Sequence, residues 1–338
     1  MGRRMVGIIE TCVVVALVAT LSGSAWGQSE LLLKYEPILY LHPRETFLPV
    51  NVEAFVASCS LWKDNPHPEP DEEIIPEGDL TLEDLDLGAE QEEYFLKFVQ
   101  NSLLPTIQLS RPEDVIPRAM RKLMRFLTLQ ALIEYFITPH KEIIYYARQT
   151  EKSGYTILQY WFFYAYNSWA AYKFGANIHE GDWEMITIFI PSGCDEPEYA
   201  AYSAHGHSGD EVTMLWEDVP KENGHPIVYV ALGSHANFYR AGFFRDVIFF
   251  DRTSGQGLHI GPGQDIEWGA PVVLEDDDLP LWASHYAGDW GLDTYIDDND
   301  LLMNGFSGPR GPTFQGDRWH DPVAWAPPPP TLLISGYH

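Results

Sequence analysis

The segment His179-Glu180-Gly181-Asp182-Trp183-Glu184 places a histidine, two glutamates and an aspartate within six residues of this 338-residue chain. Read as a strand from about Asp182, it places Asp182 and Glu184 on one face while Trp183 and Met185 point to the other. His179 lies three residues earlier across Gly181, where the chain can fold its imidazole back toward the same face. One ring nitrogen and two carboxylates form part of a shell for a hard or borderline divalent cation, with Ca, Mg, Mn and Zn all compatible. Held close without a cation, two carboxylates repel and one tends to stay protonated. The same spacing also fits a solvated strand edge with Trp183 in the core.

Further histidines occur in the same half of the chain. His205 and His207, in Ser203-Ala204-His205-Gly206-His207, share a face if the preceding strand persists, and His235 follows the apolar run Ile227 to Leu232. Each alone reads as a structural histidine. Their joint position at strand ends beside glycine is where a β-sandwich presents loops to a ligand. Asn167 could add a neutral oxygen. Nucleophile chemistry is poorly supported: there is no Gly-x-Ser-x-Gly elbow, and Ser234 and His235 are sequence neighbours whose side chains diverge on a strand. His-Glu-x-x-His and a phosphate-binding glycine loop are also lacking, and there are too few cysteines for a thiolate zinc site. Three readings stay open: a divalent-cation-binding protein that recognises a surface ligand such as a glycan or lipid headgroup, a metal-dependent hydrolase in which His205 or His235 moves a proton, and a structural module.

The elements that must position these residues read as mainly β. Tyr155 to Tyr164, Trp183 to Ile190, Ala200 to His205, Ile227 to Leu232 and Val247 to Phe250 are β-branched or aromatic runs bounded by Gly, Pro, Asn or Asp. Short strands without intervening helices predict a β-sandwich. Residues 31–62 read as short extended pieces and 63–90 as an acidic, Pro-rich loop. From 90 to 138 the apolar residues recur at helical spacing, which predicts a helical insertion. Within it Arg118, Arg121, Lys122 and Arg125 share a helix face, read as a solvated face paired with the chain's own carboxylates rather than as a membrane contact. No linker interrupts the centre, so residues 28–338 are expected to form a single domain.

Arg3 and Arg4, the apolar run from Cys12 to Ala19 and the small residues before Gln28 predict a signal peptide over 1–27. The mature chain is therefore expected to be secreted or periplasmic, with no transmembrane segment. Its formal charge, −28 for the whole sequence, becomes one unit more negative once Arg3, Arg4 and Glu10 are removed. Such a surface repels nucleic acid and anionic lipid at long range and is compatible with cation binding. Cys59 and Cys194 remain, either as one disulfide or as two free thiols.

Five segments in order, Tyr35 to Pro43, His179 to Glu184, Tyr202 to His205, His225 to Ala236 and Gly305 to Pro312, resemble the vacuolar-protein-sorting-62-like family. More distantly, His179, Asp182 and Glu184 are similar to the His-x-His-Asp-Trp-Glu heart of the necrosis- and ethylene-inducing-peptide-like proteins, secreted cytolysins with a β-sandwich. That resemblance implies a divalent cation on these three residues and a functional role for His205 in Tyr202-Ser203-Ala204-His205-Gly206. Glu180-Gly181 departs from the basic pair inside that motif, and the upstream acidic ligand has Asn167 as its nearest counterpart.

Overall fold

A computed structural model describes residues 30–66, 68–98, 143–169, 179–245, 250–291 and 308–329. The expected leader, the basic stripe 118–125 and residues 99–138 of the expected helical insertion lie outside the described residues.

Two 13-residue strands organise the molecule: β6 (Tyr155–Asn167) and β7 (His179–Pro191), antiparallel and almost wholly buried. Strands covered on both faces read as continuous apolar runs. Around them a six-stranded sheet runs in the order β16 (Val272–Val273), β5 (Tyr146–Lys152), β6, β7, β8 (Tyr199–Tyr202), β9 (Thr213–Leu215).

Alternation divides the side chains of β6 and β7 between two cores. Leu158, Tyr160, Phe162, Ile186 and Ile188 pack against Leu39, Val228, Val230 and Ile260. These belong to a five-stranded sheet that includes β1 (Ile38–Tyr40), β11 (His225–Val230) and β15 (His259–Ile260), with β10 (Lys221–Glu222) and β12 (Asn237–Phe238) on β11. Trp161, Phe163, Trp183 and Met185 enter the other core. It is closed by the helix Val52–Val56, by a three-stranded sheet of β3 (Glu72–Ile75), β2 (Cys59–Lys63) and β4 (Tyr94–Phe98), and by Trp282, Trp290, Trp319 and Trp325. Two packed sheets with alternating inward residues make the mainly β, sandwich-like architecture expected. A separate hairpin, β13 (Gly242–Arg245) with β14 (Phe250–Thr253), completes the strands.

Several local expectations need correction. The helical spacing from 90 fails at its start, because Tyr94–Phe98 is strand β4 paired residue by residue with β2. Leu96 and Phe98 join the core while Phe95 is also buried, so apolar residues on both faces obscure the period of two. The acidic stretch 63–90 contributes β3, and the extended region 31–62 contains the helix Val52–Val56, capped by the Asn51 side chain on the Glu53 N–H at 2.9 Å. Cys59 and Cys194 are both free: Cys59 is enclosed in the core and Cys194 lies exposed, so the disulfide alternative does not hold.

Candidate functional site

Asp182 and Glu184 share one face of β7, as alternation requires, and Trp183 and Met185 enter the core on the other. Both carboxylates are buried, 5% and 7% exposed. The strand is not regular there. Gly181 has φ of +62°, and an added Cβ would overlap the Trp290 carbonyl, so only glycine passes through this point without strain. On the far side of the kink, His179 turns its Nδ1 to the Gly181 carbonyl at 2.7 Å. Since the partner only accepts, Nδ1 carries the proton, which leaves Nε2 as the lone-pair nitrogen of the neutral ring.

Asp182 Oδ2 lies 2.9 Å from His235 Nδ1 and 3.5 Å from Asn167 Nδ2. His235 comes from a tight turn, Gly233 to Ala236, in which it adopts φ of +54°, and its ring stacks on Tyr164 at 3.9 Å. Its Nε2 is 3.6 Å from Glu45, whose side chain is 1% exposed. Glu45 in turn accepts from the Phe47 N–H at 2.9 Å and the Gly233 N–H at 2.7 Å. His235 is thus clasped by two carboxylates. Burial alone would lower its pKa, but the Glu45 charge and the bond to Asp182 outweigh that and raise it to about 9. At neutral pH it is an imidazolium, not a free base.

Glu184 accepts a short hydrogen bond from the Ser203 hydroxyl, which itself accepts from the Met185 N–H at 2.8 Å. Burial first and the Asp182 charge second push Glu184 up to about 8, against the lowering effects of Arg318, Ser203 and His205. Glu184 is therefore pushed toward its protonated form, by burial first and by its like-charged neighbour second. Described donors engage Oδ2 of Asp182 and Oε2 of Glu184.

The remaining predicted residues fall around this pair in different roles. Asn167 sits opposite His179 in the ladder. It accepts the Trp169 N–H on Oδ1 at 3.1 Å and so offers its amide nitrogen, not the expected neutral oxygen, toward Asp182. Strand β8 ends at Tyr202, so His205 and His207 are not strand neighbours. His205, at φ +52°, pairs with Asp251 at 2.6 Å and His207 with Glu211 at 2.7 Å. Two histidines in the left-handed region are the kind of local strain that collects at functional sites.

Sequence reading missed Glu45, Tyr164, Ser203, Asp251 and Arg318. No spacing marks them, since each reaches the site through tertiary contact. Ser234 donates to Asp251 Oδ1 at 2.5 Å, so Asp251 bridges Ser234 and His205 and the serine has no imidazole to activate it. Beyond His205 opens a cavity of about 390 Å³ lined by Tyr202, Tyr239, Phe244, Asn237, Arg245 and Asp251 among others. Aromatic walls with a few convergent polar groups are the usual make-up of a small-ligand pocket.

As a cation site the set has the right chemistry in part. Two buried carboxylates each present a second oxygen, and His179 retains a lone pair on Nε2. Among the described residues, however, no three His, Cys, Asp or Glu side chains gather closely enough to hold an ion.

No protein-family model matches the chain, so its resemblance to the vacuolar-protein-sorting-62-like family rests on the five segments alone. No curated protein matches it either. Solved structures to which it is similar include Necrosis and Ethylene inducing Protein 2 from the causal agent of cocoa's Witches Broom disease, with 15% identity and a TM-score of 0.28, covering 54% of this chain and 67% of that one. Others are NLPPya in complex with glucosamine, 11% identical with a TM-score of 0.28 over 54% of this chain and 66% of that one, and the non-toxic HaNLP3 protein, 11% identical with a TM-score of 0.25 over 42% and 55%. At these values the neighbours mark a partial likeness to necrosis- and ethylene-inducing proteins.

Proposed function

We propose that this is an exported protein that binds a divalent cation on Asp182 and Glu184 and recognises a surface ligand, a glycan or a lipid headgroup, in the adjoining cavity. The observation that carries the reading is the pairing of two buried carboxylates on one face of β7, each with an oxygen left over, beside a cavity with aromatic walls. A dry site that holds two such groups takes up either a proton or a cation. His179, whose Nδ1 is turned to the Gly181 carbonyl, is the third donor the sequence offers, but among the described residues it does not gather with the two carboxylates and would have to close on a bound ion. The cation would neutralise the pair and fix the strand end beneath the loops. Export is supported by the leader pattern in residues 1–27.

Metal analysis of the purified protein after equilibration with Ca, Mg, Mn and Zn in turn tests the cation site. The parent should retain one of them and the Asp182→Asn, Glu184→Gln double variant should not; equal metal content in both would sink the reading. The isosteric substitutions keep the hydrogen-bonding shapes, so a folded variant is expected and circular dichroism checks it.

A further inference from the structure

The hairpin β13–β14 carries a second feature, independent of the cation site. Its register pairs Phe243 with Arg252 and Arg245 with Phe250, so these four side chains share one face, and Phe244, Asp251 and Thr253 share the other. The inner face is committed. Asp251 and Thr253 are buried, Asp251 grips His205 and Ser234, and Phe244 stacks on Phe238 at 3.8 Å. Further bonds from the Leu232 N–H to the Arg252 carbonyl at 2.9 Å and from Trp169 Nε1 to the Phe250 carbonyl at 3.0 Å hold the hairpin against the molecule.

The outer face is a checkerboard of two phenylalanines and two arginines, with no carboxylate among the four. Phe243 is 54% exposed, more than any other large apolar side chain among the described residues. The Arg252 guanidinium lies 5.6 Å from the Phe243 ring and that of Arg245 lies 5.2 Å from the Phe250 ring. In a chain with 21 basic and 49 acidic residues, such a face is an anomaly of both charge and polarity. Charges more than about 8 Å away are largely screened at physiological ionic strength, so a local patch of this kind decides close contact whatever the net charge.

We propose that this outer face is a docking surface for a lipid bilayer bearing anionic headgroups. A soluble polyanion would satisfy the guanidiniums but leave Phe243 in water. A bilayer interface takes both, since anionic headgroups lie directly over the apolar boundary. Arg245 also lines the cavity beyond His205, so the docking face and the cavity share a residue.

Co-sedimentation of the full chain with phosphatidylcholine vesicles, with and without phosphatidylglycerol, is the test. The parent should bind the phosphatidylglycerol vesicles and release them as salt rises. At about fivefold per basic residue near the surface, Arg245→Gln with Arg252→Gln should weaken binding roughly 25-fold. Phe243→Ser should weaken it as well, while Ile74→Ser, also exposed but on β3, should not. Equal binding to both vesicle types, or binding unmoved by the hairpin variants, would overturn the proposal. So would tight binding to soluble heparin that Phe243→Ser leaves intact while vesicles are ignored, which would make the face a polyanion site. Binding abolished by a chelator with the hairpin variants unaffected would assign it to the cation site instead.

Discussion

Gly181→Ala isolates the geometry on which the candidate site rests. Two costs are separable at this position. An alanine held at φ of +62° carries the left-handed penalty, about 1–2 kcal/mol. Its Cβ would also stand 2.9 Å from the Trp290 carbonyl carbon and 3.2 Å from the Trp290 Cβ, and still nearer the carbonyl oxygen. That neighbour is backbone, so it cannot rotate away, and forcing atoms into such a contact costs roughly 1–3 kcal/mol more. The expected loss is about 2–5 kcal/mol. Gly193→Ala supplies the reference, because Gly193 has φ of +82° with open space around it and should lose only the conformational part, about 1–2 kcal/mol. Gly291→Ala gives the complement: an added Cβ there would overlap the Glu180 carbonyl, so the overlap cost of roughly 1–3 kcal/mol stands alone. Urea unfolding of the three variants beside the parent measures all of them on one scale. If Gly181→Ala proves no more costly than Gly193→Ala, the Trp290 backbone does not press on the kink and the placement of Asp182 and Glu184 loses its support.

Other consequences are as direct. His205 has a raised pKa because its bond to Asp251 outweighs the lowering effect of burial, so its stabilising contribution is complete below its ordinary value near 6.5 and is lost as pH rises through the folded one. Melting of Asp251→Asn should therefore fall furthest below the parent near pH 6 and approach it in alkali; a pH-independent gap would refute the pairing. Arg148 is buried, donates to the Gln159 amide oxygen at 3.0 Å and the Trp319 carbonyl at 2.7 Å, and stacks on the Trp319 ring at 3.8 Å. Arg148→Ala orphans both acceptors, and an unfolding midpoint displaced by about 3 kcal/mol is expected. Of the two free thiols, Cys194 should react with a thiol reagent in the native protein and Cys59 only in denaturant; protection of both would mean that they pair.

Alternation made Asp182 and Glu184 legible as a pair, because the rule that sends Trp183 into a core fixes the faces of its neighbours. It also disclosed β6 and β7, whose apolar runs are too long for edge strands. The partners were not legible. Glu45 meets His235 across 190 residues of chain, and His205 meets Asp251 only after β8 has ended at Tyr202 and the backbone has turned left-handed. Strand β4 was misread because both of its faces are apolar, and a period cannot be seen without a polar face to break it.

Glu180, inside the central segment, shows why its acidic residues are not equivalent. Its carboxylate accepts the Phe98 N–H at 2.8 Å, which ties β7 to the end of β4. Its carbonyl is approached by Gly291 and Gly308, so closely that neither position has room for a side chain. The Gly308 N–H closes the arrangement on the Gly291 carbonyl at 2.9 Å. Glycine in Gly308-Pro309-Arg310-Gly311-Pro312 therefore serves backbone contact under the site as well as turning the chain. Farther along the same C-terminal stretch, Arg318 donates to the His205 carbonyl and Trp325 Nε1 to the His207 carbonyl at 3.1 Å, fixing the histidine loop from the side opposite Asp251. In the six-residue segment, then, His179, Glu180 and Gly181 bend and anchor, Trp183 fills the core, and the carboxylates that can meet a cation are Asp182 and Glu184. Loss of residues 308–329 would leave those two carboxylates in sequence but remove what holds the strand end and the histidine loop around them.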